Sequence, residues 1–362
     1  MRKILAITLI LGFSLSSKAA PIKVDWLLAY YIPYDNNLAE YYHKIESMME
    51  KGVVSEHLAV AVQTDLPDSS GIYQTIILHD TVFNFRINRE DSYSNQTFNE
   101  FLGWIKNDFR ANKTALIFLN HGGQLDETGV DKYPSERWMR IDSMANSVRS
   151  FKEKMHGELE LVSFQVCSKA NVEVAYEFEN TSKYTLFSQF VLGAPNYYYE
   201  KVFKELSAQQ INGGLELAQS ITKNDSLNMY YSYTCIENQH LKSFMDQFKL
   251  YAKHMGASSL KRTNGQLHNT VYAHEEHWDF GSLIGAFEAK YDTTSVLNDL
   301  KRKYNDLIAF IRVNPSKNIV HPFSGMSVLA FNEIGYMKKY THLRFFKDVN
   351  LKLYRKKLLR NL

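Results

Sequence analysis

The chain has 362 residues, 45% of them hydrophobic and 14% aromatic, which is ample for a large buried core in one big α/β unit or in two domains. A formal net charge of +3 excludes an obvious polyanion binder, so no nucleic-acid partner is expected. Two cysteines, Cys167 and Cys235, exclude a disulfide scaffold; one bridge between them is the alternative to free thiols.

Arg2 and Lys3 precede an apolar run of ten, Ile4 to Phe13, and Ser17-Lys18-Ala19 ends in a small residue. This pattern predicts a signal peptide over residues 1–20, cleaved after Ala19 or Ala20, and export to periplasm or medium. Ten apolar residues are too few to span a bilayer as a helix, although an uncleaved anchor is the competing reading. No other segment reaches transmembrane length.

Val24 to Tyr31 reads as a buried strand, stopped by Pro33 and the polar run Asp35-Asn36-Asn37, which caps a helix over Leu38 to Lys51. The apolar positions Leu38, Tyr41, Tyr42, Ile45, Met48 and Met49 fall on one face of that helix. His57 to Gln63 is the second strand. Ile72 to Leu78 and Thr81 to Ile87 form a hairpin turned at His79-Asp80. Thr97 to Phe109 is helical, and Lys113 to Asn120 is a third buried strand running into His121-Gly122-Gly123. Leu125 to Pro134 reads as a polar loop and Ser135 to Met155 as a helix. Glu160 to Phe164 is the fourth strand and runs into Gln165-Val166-Cys167. A helix over Asn171 to Glu179 and a strand over Tyr184 to Phe190 follow. Beyond residue 200 the signal thins to helices near Tyr199 to Thr222 and Glu237 to Met255, and a late strand, Ser324 to Phe331.

Strands alternating with helices predict an α/β fold with a mainly parallel sheet flanked by helices on both faces. In such sheets the ligand crevice lies beyond the carboxyl ends of the strands. His121 and Cys167 each stand just past the end of a predicted central strand. A thiol peptidase needs a thiolate, a nearby base and donors for an oxyanion. Cys167 fits the nucleophile and His121 the general base and acid. A glycine after the histidine lets the backbone approach a substrate carbonyl closely, so the amides of Gly122 and Cys167 are the natural oxyanion hole. Taken singly, the cysteine reads as a small buried hydrophobe and His-Gly-Gly as a turn; the pairing at one sheet edge raises the chemical reading.

Leu116 to Gly123 (LIFLNHGG) resembles the strand and histidine motif of the clostripain family. Leu161 to Glu177 (LVSFQVCSKANVEVAYE) is similar to its cysteine motif, in which a strand ending Phe-Asp-Ala-Cys precedes a helix carrying Glu-Val-Ala-Tyr-Glu. Ala29-Tyr30-Tyr31 through Leu38 resembles the family's first strand and helix start, and Ser324-Gly325-Met326-Ser327 a late strand. The likeness spans roughly residues 24–345 and is strongest over 113–178. It implies a caspase-like fold, a Cys/His dyad and endopeptidase activity on protein or peptide substrates, with no cofactor. Two residues before the cysteine the family usually has an aspartate associated with a basic P1 side chain; here Gln165 stands there. A neutral amide cannot form the charge-assisted pair that Arg or Lys wants. The P1 preference is therefore expected not to be strictly basic, with Gln165, Ser188 and Tyr197 lining a rebuilt pocket. Self-cleavage at Lys132, Arg137, Arg140, Arg149, Lys152 or Lys154 is then not expected either. The same pocket changes keep a second reading open, a non-catalytic caspase-fold binding or effector protein.

His274-Glu275-Glu276-His277 spaces its histidines at i and i+3 rather than the i and i+4 of a zinc-peptidase helix, so it reads as a polar loop or helix start and no metal site is expected. No Gly-x-Ser-x-Gly elbow accompanies the His-Gly-Gly, which disfavours a serine esterase. Met337 to Leu362 carries nine Lys or Arg against one acidic residue, Asp348. It reads as a basic terminal helix packed on the body, with weak contact to an anionic membrane surface as the alternative. The expected organisation is a leader (1–20), a catalytic core (21–200), the remainder of the catalytic unit (201–336) and a basic helical tail (337–362). The oligomeric state is not legible.

Overall fold

The computed structural model describes residues 3–4, 20–67, 71–89, 91–132, 135–226, 229–255, 267–291, 295–319, 323–330 and 338–349. Most of the predicted leader, Phe331 of the late strand and residues 350–362 of the basic tail lie outside the described residues.

The first strands and helices are β1 (Lys3–Ile4), β2 (Ile22–Pro33), α1 (Tyr42–Gly52), β3 (Leu58–Asp65), β4 (Ile72–Ile77), β5 (Thr81–Ile87), α2 (Asn95–Asp108) and β6 (Phe109–Leu119). Then come β7 (Glu127–Asp131), β8 (Arg137–Arg140), α3 (Ile141–Lys152), β9 (Glu158–Gln165), α4 (Val172–Glu177), β10 (Tyr184–Phe187), α5 (Tyr199–Ser207), α6 (Gly214–Asn224), β11 (Ser232–Glu237) and α7 (Leu241–Met255). The last are β12 (Asn269–Tyr272), β13 (Glu275–Asp279), α8 (Phe280–Tyr291), α9 (Ser295–Leu307), β14 (Ile308–Val313), β15 (Ser327–Leu329) and α10 (Arg344–Asp348).

Ten strands form the main sheet in the order β1-β5-β4-β3-β2-β6-β9-β10-β11-β14. Its centre, β3-β2-β6-β9-β10, is parallel, and antiparallel pairs extend it through β4 and β5 on one side and β11 and β14 on the other. Because the central strands are covered on both faces, they read as nearly unbroken apolar runs. Alternate residues of β2 go to opposite cores. Leu27, Ala29 and Tyr31 pack with residues of α2, α3, α4, α7 and α9, while Trp26, Leu28, Tyr30 and Ile32 pack with α1, α5 and α6. The expected sheet with helices on both faces is therefore present. Ser94 starts α2 by accepting a hydrogen bond from the Thr97 amide at 3.1 Å, a cap that satisfies one orphan donor of the first turn.

Several elements depart from the sequence reading. The predicted loop Leu125 to Pro134 contains β7, which pairs antiparallel with β8, so the following helix starts at Ile141 rather than Ser135. Gly129, at φ 63°, takes the left-handed conformation at the register shift in this hairpin, a bulge that polar composition hides. His274-Glu275-Glu276-His277 is not a helix start: Ala273 and His274 form a turn, and Glu275 begins β13. Strands β11 and β14 were unpredicted, and the long helical stretch near Tyr199 to Thr222 is two helices. A small separate sheet, β12-β13-β15, stands beside the main one and supplies a residue to the site.

Candidate active site

Leu119 and Gln165, the last residues of β6 and β9, are paired neighbours in the parallel sheet. His121 and Cys167 each lie two residues beyond them, so topology brings both to one rim. The two loops touch directly: a Cβ on Gly122 would fall 2.1 Å from the carbonyl oxygen of Cys167. Only glycine permits that approach.

The histidine loop is held by side-chain amides just past the ends of β2 and β6. Asn120 Oδ1 accepts from the His121 amide at 2.6 Å, and Asn36 Nδ2 donates to Asn120 Oδ1 at 3.2 Å and to the Val130 carbonyl at 2.9 Å. The His121 carbonyl accepts from the Gly129 amide at 3.0 Å. The imidazole Nε2 lies 2.9 Å from Asn37 Oδ1. An amide oxygen only accepts, so Nε2 carries the proton and Nδ1 keeps its lone pair. Burial holds the His121 pKa below its ordinary value, and the charge of Lys132 acts in the same direction. Both effects favour the neutral form of the ring.

Cys167 is partly buried and reduced, as is fully buried Cys235, so no bridge joins them. Its Sγ donates to the Leu192 carbonyl and accepts from the Leu192 amide, both at 3.4 Å. Ser168 turns at φ 52°, and its amide donates to the Phe190 carbonyl at 2.8 Å. Lys169, only 1% exposed, reaches back across the rim and donates to the carbonyls of Gln124 at 2.6 Å and Gly123 at 3.3 Å. Burial pushes its pKa down to about 8, against the pull of Glu275, Asp126 and Glu127. A buried cation thereby stitches the histidine loop to the cysteine loop.

One more group meets the thiol. The Tyr272 hydroxyl lies beside the Cys167 thiol and the Gly122 amide, and its ring packs on Gly122, where a Cβ would fall 3.1 Å from Tyr272 Cε1. Burial, and then the thiol's charge, hold its pKa above the ordinary phenol range.

A family model described as the clostripain family matches residues 30–341. The chain belongs to the clostripain family. No curated protein matches it. Among solved structures it is similar to a secreted C11 cysteine protease from Bacteroides thetaiotaomicron in complex with an irreversible peptide inhibitor, at TM-score 0.70 and 17% identity, covering 91% of this chain and 99% of that one. It is also similar to an inactive zymogen C11 protease from Parabacteroides distasonis, at TM-score 0.69 and 16% identity, over 91% and 99% of the two chains. The caspase-like fold follows, and membership makes the chain a cysteine peptidase whose substrates are proteins or peptides.

In this clostripain-family chain the three residues read from the sequence as pocket walls lie apart in character. Gln165 is buried, and neither its Oε1 nor its Nε2 has a hydrogen-bond partner. Ser188 is buried, its Oγ accepting from the Phe190 amide at 3.1 Å. Tyr197 is partly exposed, and its hydroxyl accepts from Lys44 Nζ at 2.9 Å. Asn37, Lys169 and Tyr272 were not singled out as site residues. Asn37 has a sequence signal, standing among strand-end amides in a histidine protein; Tyr272 has none, since it arrives from a separate sheet.

Two other features do not include Cys167 or His121, the first of them at the carboxyl ends of β2 and β3 on the same sheet edge. Among the described residues, Asp35, Asp65 and Asp131 offer ligand atoms within 4.8 Å of one another. Burial, reinforced by the charge of Asp35, pushes the Asp65 pKa up to about 7. A cavity of about 760 Å³ at the opposite, amino ends of the strands is lined by Asp25, His57, Arg110 and His156 among others and does not reach Cys167. Among the described residues no helix is long and apolar enough to cross a membrane.

Proposed function

We propose that the chain is an exported cysteine endopeptidase using Cys167 and His121. The observation that carries this reading is the packing of Gly122 on the backbone of Cys167 at the shared sheet rim. The imidazole takes the thiol proton, and Sγ attacks the scissile carbonyl carbon. The carbonyl π electrons move to oxygen, whose charge is received by the amides of Gly122 and Cys167. The imidazolium then gives its proton to the leaving amine as the C–N bond breaks, leaving a thioester. Water, deprotonated by the imidazole, attacks the acyl carbon; the C–S bond breaks and the thiol is restored. Asn37 holds the ring orientation, and Lys169 holds the two loops together.

The P1 preference is not strictly basic. A buried carboxamide at Gln165 with open donor and acceptor suits a polar, uncharged P1 side chain, and an Arg or Lys there would lack a counter-charge. Lys44, 4.6 Å from the Tyr197 ring, adds positive charge wherever Tyr197 borders the pocket. Ser188 closes the wall from behind. The leader-like residues 1–20 direct export.

Incubating the purified protein with a mixed peptide library, beside Cys167→Ala, and reading cleavage sites by mass spectrometry tests all of this. Internal cleavage that disappears in the variant, after residues other than Arg and Lys alone, is expected. Unchanged cleavage by Cys167→Ala rejects the nucleophile. No cleavage by either, with no labelling by thiol-directed inhibitors, favours the binding-protein reading.

A further inference from the structure

The phenol that meets the thiol occupies the place a substrate needs. The oxyanion of an acyl-transfer reaction must lie within hydrogen-bond reach of its amide donor and close to the nucleophile. The Tyr272 hydroxyl already lies beside the Gly122 amide and the Cys167 thiol. Its ring lies against Gly122 as well: a Cβ there would sit 3.1 Å from Tyr272 Cε1. A substrate carbonyl oxygen and this hydroxyl cannot both take the Gly122 amide.

The segment carrying Tyr272 is built to hold this contact and to lose it. β12 is the outer strand of the small sheet, paired through four positions with β13 alone. Its neighbour Val271 is 71% exposed, so little apolar burial fixes the strand. The turn joining it to β13 places Ala273 at φ 50° and His274 at φ 66°. Two-residue hairpin turns with both φ positive favour Asn and Gly, and neither residue here is of that type. Left-handed backbone at such residues is disfavoured by sterics. Past the turn the chain is firmly anchored, because Glu275 accepts from the Leu125 amide at 2.7 Å and from the Tyr340 hydroxyl. A strained turn thus connects a fixed strand to a loosely held one that ends at the nucleophile.

We propose that Tyr272 is a latch in the resting enzyme: its hydroxyl stands in for the substrate oxygen at Gly122, covers Cys167, and must swing away with the edge of β12 before a peptide bond is attacked. This rests on the assignment of Cys167 as nucleophile and Gly122 as oxyanion donor. It adds to that site a competitor supplied by the chain itself.

The test is the second-order rate of Cys167 alkylation by iodoacetamide, read by peptide mass spectrometry in the full chain, for the wild type, Tyr272→Phe and Tyr272→Ala. Buried Cys235, whose pKa burial raises, serves as the unreactive internal control. Both variants are expected to react about tenfold faster, and kcat/KM on a peptide substrate is expected to rise with them. The double variant Ala273→Asn with His274→Gly relaxes the turn and is expected to slow both rates without touching the phenol. An alkylation rate unchanged in both Tyr272 variants, with thermal melts showing them folded, overturns the latch. So does a tenfold loss of kcat at unchanged KM in Tyr272→Phe, which makes the hydroxyl a working oxyanion donor. Because alkylation is read at the sulfur, faster labelling without hydrolysis by any variant supports the latch while removing the peptidase assignment.

Discussion

Asn37 is the residue on which the histidine's tautomer depends. Replacing it with alanine removes a hydrogen bond that orients the ring, of the size that contributes about 1 kcal/mol or somewhat more. Asn37→Ala is expected to lower kcat about tenfold with little change in KM in steady-state assays. Lys132 acts on the same ring through charge. A nearby cation disfavours the imidazolium, so removing it must move the His121 pKa upward. NMR titration of the imidazole in Cys167→Ala, with and without Lys132→Gln, is expected to show that upward displacement; a downward one contradicts the assigned cause. His121, Gly122 and Cys167 were legible as residues because short motifs at the ends of apolar strands carry them. Asn37 was legible only as a helix-start amide, and Lys169 only as one letter of the cysteine motif. What each reaches for depends on neighbours distant in the chain.

At the scale of elements, two loops leaving adjacent parallel strands must pass within contact distance. Gly122→Ala sets a Cβ 2.1 Å from a backbone carbonyl oxygen, and no rotamer relieves it. The loops must part, and the amide of residue 122 leaves its place. With that amide as the proposed oxyanion donor, its loss costs about 2.7–4 kcal/mol of transition-state stabilisation, so kcat/KM is expected to fall by about 100-fold or more. The rest of the sheet should stay intact, which circular dichroism checks. The parallel centre was readable because strands buried on both faces have unbroken apolar runs flanked by helical periodicity. The hairpin β7–β8 was not, because its residues are Glu, Thr, Gly, Val and Asp facing Arg, Trp and Met, and its bulge breaks period two. β14 follows α9 without a break, so its alternation merges with the helix's amphipathic pattern.

Across the whole molecule, buried carboxyls tie the small sheet to the main body. Glu173 on α4 accepts from the Leu329 amide of β15 at 2.9 Å, and burial pushes its pKa up to about 7 from an ordinary 4.5. Between those values the folded chain keeps a proton that the unfolded chain has lost. This group's contribution is therefore fully present below about pH 4.5 and lost as the pH rises through 7, a swing of roughly 3 kcal/mol. Glu173→Gln does not titrate, so its stability relative to wild type, from urea unfolding, is expected to improve by about that amount between pH 4.5 and pH 8. An equal difference at both pH values refutes the cause. The sequence by itself determined the α/β class, the family, and the two strand ends on which His121 and Cys167 stand, because apolar runs and short motifs are local properties of a chain. Only the tertiary structure decided that Asn37 takes the imidazole, that Lys169 binds the loops together, and that Tyr272 from another sheet lies on the thiol. Such contacts join residues far apart in sequence, and no local pattern encodes the register at which packing brings them together.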